Sequence, residues 1–138
     1  PKSQPLIYTG QEIALNRRLQ FFEKDSVKEL VDTEYNKEYR EFYKNLCSFR
    51  HANSALAAGA NVAPMAIVEE APEAVLAFTR QNEENTVFCV FNFSAEPQTF
   101  VVPEAAAGDY RCVCQKDVTL VAGEALELAP WQFYLLAK

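Results

Sequence analysis

The chain changes hydrophobic period once, and that change organises it. Over residues 34–51, Tyr35, Tyr39, Phe42, Tyr43, Leu46 and Phe49 recur every three or four positions, with Arg50 closing the stripe. This is one face of an amphipathic helix of about five turns. Asp32 or Thr33 is placed to cap it, since either oxygen can accept from the free amides of the first turn. So bulky a stripe needs a partner surface. The expectation is that it folds onto the C-terminal sandwich read below or onto a second copy.

Beyond Pro64 the period becomes two. Met65–Glu70, Ala74–Gln81, Thr86–Phe93, Gln98–Val102, Tyr110–Gln115, Val118–Val121, Ala125–Leu128 and Trp131–Ala137 read as strands. Turn clusters such as Ala107-Gly108-Asp109 and Ala129-Pro130 separate them. Eight short strands at this spacing predict a mainly β fold, an antiparallel, Greek-key-like β-sandwich preceded by a helical arm. Thr86–Phe93 is apolar on both faces and belongs at the centre of a sheet. Glu69, Glu70, Glu83 and Glu84 suit a solvated rim that blunts edges. The small-residue stretch from Ala52 to Pro64 is a connector, dividing an N-terminal region 1–60 from a sandwich 61–138. Ahead of the helix, residues 5–9 form a short apolar run that reads as a strand stub, and residues 16–32 read mostly as loop.

Composition sharpens this picture. Hydrophobic residues are 49% of the 138 and aromatics 12%, enough to pack a core and too many for a disordered chain. No uncharged apolar run approaches the roughly 18 residues of a membrane span. Residues 1–60 carry nine basic and eight acidic side chains, whereas residues 61–138 carry four and eleven. A net charge of −6 without a basic cluster disfavours nucleic-acid binding. The chain starts at Pro1 with no signal-peptide pattern, which suggests a piece of something longer. The four cysteines read as small buried hydrophobes, because Cys112-Val113-Cys114 is too tight for the usual zinc spacing and His51 stands alone. No metal site is expected.

Candidate chemistry is sparse. Glycosidic hydrolysis uses two carboxylates about 5–9.5 Å apart, and Glu12, Glu23 and Asp25 are the candidates. Nothing in the sequence converges them, and Arg17-Arg18 can neutralise Glu23 and Asp25. Tyr110, Trp131 and Tyr134 could stack on a sugar ring, although Trp131, Phe133 and Leu135 alternate as a core face would. From these residues alone the chain reads as a non-catalytic sandwich with a helical arm, or as a free-standing carbohydrate-binding or interaction module.

Four strings in order add a resemblance. Pro5-Leu6-Ile7-Tyr8-Thr9-Gly10-Gln11-Glu12-Ile13 is similar to the segment closing the eighth barrel strand of α-amylase-family glycoside hydrolases (family thirteen). Leu46-Cys47-Ser48-Phe49-Arg50, with Ala55-Leu56 and Gly59, resembles that family's last barrel helix. Val75-Leu76-Ala77-Phe78-Thr79-Arg80 with Asn92-Phe93-Ser94, and Leu126-Glu127-Leu128-Ala129-Pro130-Trp131, resemble its C-terminal all-β domain. The resemblance implies that residues 1–60 are the end of a (β/α)8 barrel that acts on α-glucans with retention, through carboxylates on strands preceding residue 1. No catalytic residue then falls on this chain. Gln11 and Glu12 are the positions it places near substrate, and the missing barrel becomes the partner of the sandwich. No cofactor is implied here, though calcium is compatible with the parent. After Asp25 the chain departs from the family, with Ser26-Val27-Lys28-Glu29 where relatives show a tryptophan.

Overall fold

The computed structural model describes residues 4–20, 22–25, 33–59, 62–113 and 116–138. Its contacts divide it into two compact units, residues 4–48 and a second formed mainly by residues 49–138.

The first unit holds a 3-10 turn over Gln11–Ile13 and most of the helix α1, Glu34–Ala52. Thr33 is the cap, its hydroxyl accepting from the Asn36 amide at 3.2 Å; Asp32 lies outside the described residues. At the other end Asn53 donates to the Phe49 carbonyl at 2.7 Å, satisfying one of the four free carbonyls there. Residues 5–9 form no strand, since no described strand takes up their backbone groups. Along the helical stripe Tyr35 stands 57% exposed and Tyr39 and Phe42 each 37%. Tyr43, Leu46 and Phe49 are half-buried, and the one buried residue of α1 is Asn36.

The second unit is an eight-stranded antiparallel sandwich. Its strands are β1 (Met65–Ile67), β2 (Val75–Gln81), β3 (Thr86–Asn92), β4 (Gln98–Val101), β5 (Gly108–Cys112), β6 (Val118–Leu120), β7 (Ala125–Leu128) and β8 (Phe133–Ala137). One sheet runs β1-β2-β3-β8-β5-β6 and the other is β4-β7. The pairings of β3 with β8 and β4 with β7 skip strands, as a Greek-key-like connection requires. β3 has strands on both sides and is buried on both faces except at Phe91. Strand β8 begins at Phe133 rather than Trp131, because Trp131 adopts φ 60° and turns the chain. Strand β5 begins earlier than expected, since Gly108 already pairs with Leu120.

The core lies between the sheets. Phe88, Val90, Phe100, Leu128 and Leu136 are all at least 99% buried, and full burial of each such side chain stabilises the fold by about 1.5–3 kcal/mol. Phe88 packs against Phe100 with ring centroids 6.0 Å apart, and against Tyr110 at 6.5 Å.

The connector is more structured than its small residues suggest. Ser54–Leu56 forms a 3-10 turn whose Ala55 is completely buried. The Ala55 amide donates to Asn85 Oδ1 at 2.9 Å. Arg80, 8% exposed, reaches from β2 to donate to the carbonyls of Ala63 (3.1 Å) and Ala57 (3.2 Å). Burial, and after it the charge of Arg50, pulls the Arg80 pKa below its ordinary value.

Candidate functional site

The segment Tyr8–Leu15 is a tight turn that dictates its own residue types. Gly10 adopts φ 88°, where a Cβ would lie 2.6 Å from Leu15 Cδ2, so only glycine fits. The turn then uses the two side chains expected near a substrate. Gln11 Oε1 accepts from the Tyr8 amide at 3.2 Å, and Glu12 Oε2 accepts from the Gly10 amide at 3.1 Å. Buried Asn36 fixes the turn to the helix by donating to the Ile13 carbonyl at 2.5 Å, while its Oδ1 accepts from the Thr33 hydroxyl.

Gln11 and Glu12 open onto different grooves. Gln11 lines one of about 490 Å³ with Tyr8, Leu15, Arg17 and Arg18. Glu12 lines another of about 500 Å³ with Lys37, Arg40, Glu41 and Lys44. Neither groove contains Glu23 or Asp25. Asp25 instead forms a bidentate pair with Arg17, both contacts at 2.7 Å, and accepts from the Gln20 amide at 3.0 Å. Arg17 thus neutralises Asp25, as the charge pattern suggested. Glu12 shares its groove with Glu41 and with neither of the other two candidate carboxylates. The departure at Ser26–Glu29 lies outside the described residues.

The three aromatic candidates for sugar stacking do not form a platform. Tyr110 is 2% exposed, with Phe88 packed on it and Lys138 Nζ 4.6 Å from its ring centroid, so no sugar can stack there. Tyr134 is half-buried against the core, and its hydroxyl is 3.0 Å from Gln132 Nε2. Trp131 is 63% exposed, which corrects the expectation that alternation buries it with Leu135; the left-handed φ breaks the alternation. Tyr110 also lines a polar hollow of about 680 Å³ with Asn53, Asn85, Asp109, Asp117 and Lys138. Its charged members are engaged locally: Asp109 accepts from Thr119 Oγ1 at 2.6 Å, Asp117 from the Cys112 amide at 3.3 Å, and Lys138 donates to the Ala107 carbonyl at 2.5 Å.

Cys89 is buried and free, and burial pushes its thiol up to about 12, far from a reactive thiolate. Cys112 is also free, Cys47 is half-buried, and Cys114 lies outside the described residues. Among the described residues no three His, Cys, Asp or Glu side chains are grouped as metal ligands. No described helix is long and apolar enough to cross a membrane.

Two residues carry more than the sequence pattern assigned them. Asn36 was readable from the spacing Thr33-x-x-Asn36, a capping arrangement that points the fourth side chain back toward the helix start. Phe93 is 60% exposed at the end of β3, and only the pairing of β3 with β8 reveals its aromatic neighbours.

Comparison with known proteins bears directly on this arrangement. The family model described as the maltogenic amylase C-terminal domain matches residues 65–135, just over half of the chain. The α-amylase MalA of Haloarcula japonica is 29% identical over 115 residues, covering 78% of this chain and 16% of its own. A MutB mutant in complex with the substrate sucrose is 30% identical with a TM-score of 0.54, covering 72% of this chain and 18% of MutB. AmyP in complex with maltose, 18% identical, shares the fold with a TM-score of 0.61 over 76% of this chain and 21% of its own. The chain therefore spans about a sixth to a fifth of the length of these relatives.

Proposed function

Because the chain belongs to the α-amylase family and carries a maltogenic amylase C-terminal domain in its second half, we propose that it is the non-catalytic C-terminal part of a glycoside hydrolase acting on α-glucans. In this reading its sandwich supports a catalytic (β/α)8 barrel. The observation that carries the reading is where the family match falls: it covers the all-β module, while Glu12 and Asp25 are taken up by the Gly10 amide and by Arg17. Retaining hydrolysis needs a nucleophile and an acid held about 5–5.5 Å apart. In this reading that pair sits on the barrel, while Glu12 and Asp25 serve local turns.

Gln11 and Glu12 then act as shapers of a barrel rim, holding the Tyr8–Leu15 turn rather than moving protons. The exposed Tyr35 and Tyr39 of α1 find their cover on the barrel, and in the chain alone they drive self-association. Incubating the purified chain with maltoheptaose and following new reducing ends tests the assignment. No turnover above buffer is expected, and measurable turnover overturns it.

A second reading rests on Trp131 alone, the one exposed aromatic of the three sugar-stacking candidates. Electrophoresis through a starch gel separates the two. Support alone predicts no retardation; retardation abolished by Trp131→Ala without unfolding would instead make the sandwich a glucan-binding module.

A further inference from the structure

One triplet in this sequence has the form Asn-x-Ser/Thr: Asn92-Phe93-Ser94, where β3 ends and the turn toward β4 begins. Such a triplet is an acceptor for N-linked glycans and belongs on a surface loop. Here the fold takes the reacting groups out of reach. Phe93 stands 60% exposed, while Asn92 beside it is 2% exposed. Both hydrogens of Asn92 Nδ2 are in use, donated to the carbonyls of Glu96 at 2.7 Å and Ala129 at 3.0 Å. The Ser94 hydroxyl, which completes the acceptor triplet, donates to Asn92 Oδ1 at 2.7 Å. The Asn92 backbone amide is held as well, by the Gln132 carbonyl at 2.9 Å.

We propose that Asn92 is a modification site open only in the unfolded chain, so that N-glycosylation and folding of the sandwich exclude each other. The co-substrate class is a lipid-pyrophosphate-linked oligosaccharide, brought by an oligosaccharyl transferase. In the transfer Nδ2 forms a bond to the sugar C1, the C1–O bond to the pyrophosphate breaks, the lipid pyrophosphate leaves, and one Nδ2 proton passes to a base of the transferase. A substituted Nδ2 keeps one hydrogen for two carbonyls, so Glu96 or Ala129 loses its donor. It also carries a bulky, hydrated sugar ring into a position with 2% exposure. Fraying of the turn does not relieve this. Val75 of β2 pairs with Asn92 on one side, Gln132 holds it from the other, and Ala129, 37 residues on, follows β7 of the second sheet. Freeing the side chain opens contacts that join the two sheets, which is unfolding of the module rather than a loop motion.

The test uses Arg18→Thr, which completes a second acceptor triplet with Asn16 on an exposed stretch of the first unit. The 138-residue chain carrying it is treated with a thermostable archaeal oligosaccharyl transferase and a lipid-pyrophosphate oligosaccharide, below and above the melting midpoint. Peptide masses then give the glycan on each asparagine, with Asn16 as the internal standard for transferase activity. Below the midpoint Asn92 should be modified at least tenfold less than Asn16, and above it that gap should close. After cooling, chains glycosylated at Asn92 should stay unfolded by circular dichroism, whereas chains glycosylated at Asn16 alone regain the native spectrum. An Asn92-to-Asn16 ratio that does not change across the transition overturns the proposal, since the fold then offers no protection. Chains that carry the Asn92 glycan and still melt at the midpoint of bare chains overturn it too, because glycan and fold then coexist.

Discussion

Asn92 sits at the end of β3 with 2% of its surface exposed, and its side chain does the work of several backbone turns. Its Nδ2 donates to the carbonyls of Glu96 (2.7 Å) and Ala129 (3.0 Å), and its Oδ1 accepts from the amide and hydroxyl of Ser94. Removing it breaks these four hydrogen bonds at once, each worth about 0.5–1.5 kcal/mol. Asn92→Ala should therefore lower stability in urea by at least about 2 kcal/mol, with an unchanged denaturant slope. Cys89 links stability to pH. Its folded pKa of about 12 lies above the value near 8.5 of an unfolded thiol. Between those values the unfolded state has lost the proton and the folded state has kept it, so this contribution is fully present below about pH 8.5 and is lost as pH rises toward 12. The midpoint difference between wild type and Cys89→Ala should narrow steadily over that window; a constant difference would contradict the assignment. Gly10 makes the complementary point, because a single methyl group there collides with Leu15 in a backbone region that already excludes it.

At the level of elements, Arg80 matters most to the connector. Arg80→Met removes two charge-assisted hydrogen bonds and leaves the Ala57 and Ala63 carbonyls unpaired. The expected loss is about 2–3 kcal/mol, measured by urea unfolding. Arg80→Lys should not restore it, since one ammonium does not reproduce the planar fork that spans both carbonyls. The elements also show what the sequence made legible. The helix and all eight strands were readable because their apolar residues keep one period each, and β3 was readable as central because both its faces are apolar. The strand ends were less so: β8 starts two residues late because Trp131 is left-handed, a conformation no hydrophobic pattern encodes. The run at residues 5–9 is strand-like in sequence and forms no strand among the described residues, since a strand exists only where another chain segment pairs with it. The connector read as a spacer, since alanines give no hint that Ala55 is buried by an asparagine thirty residues ahead. At the candidate site, Gln11 and Glu12 stood out through their motif, but their commitment to local amides depended on a backbone turn that residue identity alone does not reveal.

At the scale of the whole molecule, the matched family segment and the folding unit are not the same length. The match begins at Met65 and ends at residue 135. The sandwich closes its edge further out on both sides: Thr86 and Lys138 exchange backbone hydrogen bonds at 2.8 and 3.0 Å, and Ser54 accepts from Asn82 Nδ2 at 2.7 Å. A protein trimmed to residues 65–135 should melt well below one spanning 53–138, by more than the 4–8 °C that accompanies about 1 kcal/mol in a domain this small. Circular dichroism melts of the two would decide it, and equal midpoints would show the extra residues to be passengers. Arg80 sharpens the consequence. Trimming at Met65 deletes both carbonyls that the guanidinium holds and leaves a cation in an apolar sheet with nothing to bind. Anyone excising this module for grafting would be wise to cut upstream of Asn53, where the clasp is still whole.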